Sequence, residues 1–366
     1  MTSYSTRNLA LDWLKGLMIL CVVFYHSYLF PIFRGYLAVE VFFFISGYFM
    51  MLSFLRNPTT AVKYTWGRIK RVATPFFLGL TANCLLRNHI LSNSDSFSSF
   101  VDRVGNVFSS FMFAEELVPE VFRSVLINGG WFFSVLIISS FILYGMLQFN
   151  ERLATTILFP LIILFGYNAL MGHSDTICSF ERIGLLGAPL TRGLYEMAAG
   201  AFICHVYWGH KDSIDKRSIL INILGLVSFV IFLAMMFTKH SMDKYCIITV
   251  PWFLTASVID SSWLNRALQR INGGIIARVG RYTIYILCIH GLAEQLVFAC
   301  NDHILHHALN GASLLITYLI AATIASFVLY YSCQLVNRLL LSSHNNTSNS
   351  SSDNPESRDI FSSKTS

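Results

Sequence analysis

Ten runs of mainly apolar residues, each near the ~20-residue length that carries an α-helix across a bilayer, leave this chain few folds. They cover residues 13–31, 36–55, 72–91, 129–149, 153–171, 188–208, 218–238, 244–260, 279–300 and 311–337. Hydrocarbon offers no partner for backbone N–H and C=O groups, so such segments must pair them internally. The predicted fold is all-α: a polytopic integral membrane protein with about ten transmembrane helices. Composition agrees. The 366 residues are 54% hydrophobic and only 13% charged, with a mean hydropathy of +0.57, whereas globular domains carry about 25% charge. Soluble, disordered and fibrous classes are excluded. The net charge of +6 is read as basic loops on one membrane face, not as a nucleic-acid footprint. The first run is not a cleaved leader, because it carries Lys15 and His26 and lacks a small-x-small cleavage site.

Lys and Arg concentrate in cytoplasmic loops. With the N-terminus in the cytoplasm, 18 of the 26 basic residues fall on that side. They lie mainly in the 56–71, 211–217 and 266–281 connections, and ten spans bring both termini to the cytoplasm. Residues 1–341 are then one transmembrane domain. Its longest outer loop, 92–128, places Phe97, Phe100, Val101, Val104, Phe108, Phe111 and Met112 at helical spacing, which predicts an amphipathic surface helix. Residues 342–366 are polar and predicted to be a disordered cytoplasmic tail. No internal repeat is visible. The eight Cys include no CxxC pair and mostly sit in apolar runs, so no disulfide framework is expected. A bridge from Cys178 to Cys84 or Cys300 stays open.

Ionisable groups inside spans are costly and mark function. Lys15 and His26 are eleven residues apart, about three turns, so they share a helix face ~16 Å apart along the axis. The short 32–35 connection folds the second span back antiparallel. His26 and Glu40 are equidistant from residue 33, which predicts that they face each other at one depth. A carboxylate beside an imidazole orients the ring for general-base work; the bland alternative is a buried ion pair that pins two helices. Further along the second span, Ser46 either lines a channel or back-bonds to its own helix, and Gly47 permits close helix packing. Arg68 and Arg71 are i,i+3 neighbours. Forked guanidiniums at that spacing suit phosphate, although basic loops also exist simply to set topology.

Later polar residues carry weaker signals. Arg192 and Glu196 are i,i+4 in the sixth run, and either pair with each other or contact a substrate. His290 and Glu294 share a face of the ninth run and are candidate channel-lining groups. His303, His306 and His307 have metal-like spacing, but Asp302 is the nearby carboxylate and the loop is read as outer and solvated. No metal is expected.

The residues Leu11-Asp12-Trp13-Leu14-Lys15-Gly16, His26, Val39-Glu40-Val41-Phe42-Phe43-Phe44-Ile45-Ser46-Gly47-Tyr48 and Arg68-Ile69-Lys70-Arg71 together resemble the membrane acyltransferase type 3 family. That family places an Arg ten residues before a His in its first helix, then FFxxSG and RxxR. Trp131-Phe132-Phe133-Ser134 and the stretch ending in His290 resemble two weaker family blocks, so the likeness spans roughly residues 9–300. Lys15 stands where the family usually has Arg, and Glu40 where it usually has Asp; both keep the charge.

The resemblance implies transfer of an acyl group, usually acetyl from cytoplasmic acetyl-CoA, to a hydroxyl of a glycan or lipid-linked oligosaccharide. It implies His26 and Glu40 as the catalytic pair, with a His-acyl intermediate as an alternative to general-base catalysis. Lys15, Arg68, Arg71 and Ser46 would hold the acetyl-CoA. Arg192, Glu196, Trp131, His290 and Glu294 would meet the acceptor. A bacterial inner membrane enzyme that O-acetylates an envelope polysaccharide, lipopolysaccharide O-antigen first among them, is the expected function. Its rivals are the same chemistry on a small molecule or signalling oligosaccharide, and a transporter or flippase for a polar solute.

Overall fold

The structure is a computed structural model that describes residues 8–27, 30, 32–91, 130–174, 176–183, 186–259, 262–270 and 274–352. The expected surface helix in 92–128 lies outside these residues.

The chain is an all-α polytopic membrane protein. Helix α1 is Leu9–His26, α2 Ala38–Arg56, α3 Ala61–Leu91, α4 Gly130–Phe149, α5 Glu151–His173 and α6 Ala188–Gly209. After the short α7 (Lys211–Lys216) come α8 (Ser218–Met235), α9 (Cys246–Val258), α10 (Trp263–Arg270), α11 (Ile275–Arg281), α12 (Thr283–His303) and α13 (Gly311–Ser352). The strand content described is one two-residue hairpin, β1 (Arg182–Ile183) with β2 (Leu186–Gly187), paired Arg182 to Gly187 ahead of α6.

Each of the ten predicted runs corresponds to one long helix. Seven are by themselves long and apolar enough to cross a membrane: α1, α2, α4, α5, α8, α12 and α13. The other three depart for readable reasons. Helix α3 carries Pro75 and the basic stretch through Arg71, α6 carries Arg192, Glu196 and His205, and α9 has 13 residues with Pro251 inside it. All three pack into the bundle, α3 on α4 and α12, α6 on α2, α4 and α5, and α9 on α8. Helix α13 continues through Ser352, into the polar stretch that begins at residue 342. Helix propagation costs little once a long apolar helix is nucleated, and the polar sequence there contains no Pro before residue 355.

Two glycine contacts set the core. A Cβ on Gly47 would overlap the Met197 carbonyl oxygen, and one on Gly200 would overlap the Phe44 carbonyl oxygen. Helices α2 and α6 therefore touch backbone to backbone, as small residues permit in a bilayer. Gly16 and Gly280 do the same for α1 and α11, with Ile276 and Asp12 carbonyls as the neighbours. Around these crossings lies an aromatic core of Phe43, Phe44, Phe76, Phe133 and Tyr144, each 1% exposed or less.

Candidate active site

Helices α1, α2, α3, α4, α11 and α12 line a partly open cavity of about 680 Å³. Its polar lining includes Lys15, Ser46, Arg56, Arg68, Arg71 and Arg281. The structure thus brings together all four residues expected to hold the acyl donor, and adds two cations, Arg56 and Arg281, that the sequence showed only as loop charge. No carboxylate is among the lining residues. The rest of the wall is apolar, with Phe42, Ile45, Phe132, Phe133, Leu136 and Leu287.

The cations are not equivalent. Lys15 is paired with Asp12 at 2.9 Å, one turn back on α1. Arg68 is half-buried and fixed: it donates to the Ser140 hydroxyl at 2.7 Å and to the Ser46 carbonyl at 3.0 Å, and sits over the Tyr64 ring. The Ser46 backbone is thereby tied to α3 while the residue lines the cavity. Arg71 and Arg281 are exposed, and Arg71 donates to the Gly67 carbonyl of its own helix. Guanidiniums converging on one space, with no carboxylate among its described lining residues, have the chemistry that suits an anion.

The expected partnership of His26 and Glu40 is redrawn. Glu40, 0% exposed, takes a charged hydrogen bond from the Arg192 guanidinium across the α2–α6 crossing. Arg192 also lies 3.6 Å from Glu196, one turn along α6, and its guanidinium stands 5.6 Å from the Trp131 ring centre. Arg192, Glu196, Trp131 and Glu40 therefore form one buried group. The reason is geometric: equal depth in a hairpin fixes height, not rotation, and the glycine crossing presents Glu40 to α6. His26 instead faces α12. Its ring centre is 5.0 Å from that of His290, with Tyr25 on its other side at 5.2 Å. Glu294 follows His290 by one helical turn and is buried.

The imidazoles sit on two of the helices that wall the cavity. Lys15 and His26 lie on one face of α1, and Leu287 is one turn, ~4.5 Å of rise, before His290 on α12. Aromatic contacts lead to the second group, from Phe132 at the cavity wall to Phe43 (4.7 Å) and from Phe43 to Trp131 (6.2 Å).

A further polar centre was missed. Arg34, 4% exposed, pairs with the fully buried Asp243 at 2.5 Å. Asp243 also accepts from Tyr36 (2.7 Å) and Thr176 (2.9 Å), and Tyr36 meets His240 at 2.8 Å. The sequence signal was present but thin: an Asp at the lip of the eighth apolar run and an Arg in a four-residue turn. This centre lies at the opposite end of α2 from Arg56 and the cavity.

The chain matches the family model described as an acyltransferase domain over residues 8–331. No curated protein and no solved structure matches it. The match takes in the cavity, both imidazoles and the Glu40–Arg192 pair, and on that extent the chain belongs to the membrane acyltransferase type 3 family.

Proposed function

We propose that this acyltransferase moves an acetyl group from acetyl-CoA, taken from the cytoplasm, to a sugar hydroxyl of a cell-envelope polysaccharide. Lipopolysaccharide O-antigen or its lipid-linked precursor in a bacterial inner membrane is the preferred acceptor. The observation that carries the reading is the cation-lined cavity whose apolar wall ends one turn below His290. Coenzyme A combines a phosphorylated head with a long thin arm. Arg68, Arg71, Arg281 and Lys15 suit the phosphates, and Phe42, Ile45, Phe132 and Leu287 suit the arm.

His26 is the general base of this reading. It takes the proton of the acceptor hydroxyl while the oxygen attacks the thioester carbonyl. The new C–O bond forms, the C–S bond breaks, and coenzyme A leaves as the thiol once it receives that proton. Trp131, half-buried over Arg192, offers a flat face for a sugar ring, and Glu294 a polar one from α12. Arg192 and Glu196 support that side by holding α6 to α2. Two experiments test the proposal. Purified protein should bind coenzyme A and lose that binding as salt screens the phosphates. NMR of the envelope glycan should show O-acetyl groups in cells with the gene and lose them on its deletion. An unchanged glycan would move the acceptor to a small molecule or signalling oligosaccharide; no coenzyme A binding would leave a polar-solute transporter.

A further inference from the structure

His290 is 0% exposed on α12. Its Nδ1 lies 3.0 Å from the Ile286 carbonyl oxygen and 3.1 Å from that of Leu287. A carbonyl oxygen only accepts, so Nδ1 must be the nitrogen that bears hydrogen. Neutral imidazole has one N–H, and Nε2 is therefore a bare lone pair. That lone pair is buried with no hydrogen-bond partner among the described residues. A buried acceptor left unused is costly, so its persistence beside the His26 ring points to a use.

The neighbouring ring is His26, with centroids 5.0 Å apart and planes inclined by 54°. One N–H···N bond of ~2.9 Å between two imidazole edges puts the ring centres about 5 Å apart. The ring separation is that of such a bond, and with His290 held by its backbone contacts the His26 ring is the one that turns to make it. The carboxylate that the sequence reading pairs with His26, Glu40, is committed to Arg192.

We propose that His290 is a positioning residue: its Nε2 accepts the N–H of one His26 nitrogen and so presents the other nitrogen, as a lone pair, to the acceptor hydroxyl. The proposal rests on the reading of His26 as the base. The orienting group is neutral and held by backbone rather than by a second charge. When His26 takes the hydroxyl proton, the His290 bond shares the positive charge without proton transfer to His290.

The test is nitrogen NMR of the full-length protein in lipid nanodiscs, labelled with 15N-histidine. The two signals are assigned by their loss in His290→Gln and His26→Ala. His290 should show a protonated Nδ1 and an unprotonated Nε2. His26 should show one tautomer in the unaltered protein and in His290→Gln, whose amide oxygen still accepts, and a mixture in His290→Leu. A His290 protonated at Nε2, or a His26 spectrum identical in His290→Leu and the unaltered protein, overturns the proposal. Transfer from radiolabelled acetyl-CoA to lipopolysaccharide in native membranes adds a second readout. His290→Leu should lower kcat by about 10²-fold with the acetyl-CoA KM unchanged, and His290→Gln should recover much of it. Equal losses in both variants, or a raised KM alone, count against positioning. No transfer by the unaltered protein would sink the acetyl-CoA reading, and the nitrogen spectra would still decide between the two tautomers.

Discussion

Arg192 on α6 closes on Glu40 of α2 across the point where the two helices touch at Gly47 and Gly200. One guanidinium there serves two buried carboxylates, since Glu196 is 3.6 Å away. Removing the cation should therefore hurt more than removing either acid. Arg192→Ala leaves two buried carboxylates together, and breaking such a group costs about 3–5 kcal/mol. Glu40→Gln leaves the Arg192–Glu196 pair in place. Thermal unfolding in detergent should rank Arg192→Ala well below Glu40→Gln, and indistinguishable midpoints would show that the group does not hold the crossing.

The cavity makes a prediction about donor dependence. Arg281 is exposed, and its loss should raise the acetyl-CoA KM alone, by about ten- to a hundredfold for a charged contact of ~1.5–3 kcal/mol. Arg71→Ala should behave likewise. Arg68→Ala should also lower stability, because Arg68 binds Ser46 and Ser140 on two other helices. Steady-state kinetics with acetyl-CoA, beside thermal midpoints, separates the two kinds of arginine; an unchanged KM in all three variants would reduce the cluster to a topology signal.

His26→Ala should lose at least about 10²-fold in acetyl transfer, the range of general-base assistance. It should retain coenzyme A binding, since His26 is not part of the cavity wall. Near-normal acetylation at matched protein levels would remove His26 from the chemistry.

The helix crossing can be tested against an internal control. Gly200→Ala should destabilise the protein by about 1–3 kcal/mol, the cost of overpacking, because its Cβ meets the Phe44 backbone. Gly67→Ala on α3 should be neutral or mildly stabilising, since a Cβ there meets nothing within 4 Å and alanine favours the helix by up to about 1 kcal/mol. Similar midpoints for the two variants would mean that α2 and α6 do not touch as described.

Orientation follows from the basic asymmetry. Reporter fusions at residues 60 and 350 should read cytoplasmic and fusions near residue 110 external. An external reading at 350 would change the parity of the spans and put the cation-lined cavity on the wrong face for acetyl-CoA.

Much of this was legible in the sequence because helices in lipid are written locally. Runs of apolar residues mark ten helices, and the family resemblance groups Lys15, Ser46, Arg68 and Arg71, which the structure places around one cavity. What was hidden is pairing across sequence distance. Glu40 was assigned to His26 because a hairpin fixes depth, yet Arg192, 152 residues away, claims it. Arg281 was counted as loop charge because only the α1–α11 glycine contact shows that it borders the cavity. The three helices that fall short of a span on their own, α3, α6 and α9, carry the charges, prolines or brevity that burial among neighbours tolerates. Composition assesses each helix as if it faced lipid, and it cannot see those neighbours.

The Arg34–Asp243 pair joins residues 209 positions apart, and that separation has a consequence for biogenesis. Chains insert from the N-terminus at about 5–20 residues per second, so α1 and α2 enter the membrane well before Asp243 is made. Arg34 must remain in the aqueous phase or at the translocon wall until the 3₁₀ turn His240–Tyr245 arrives to seat it. The end of the bundle remote from the cavity therefore stays open until residue 243 is made, and the cavity completes later still, when Arg281 and Leu287 arrive; chains truncated between residues 236 and 242 should insert their early helices yet leave that remote end open, a ready target for quality-control proteases.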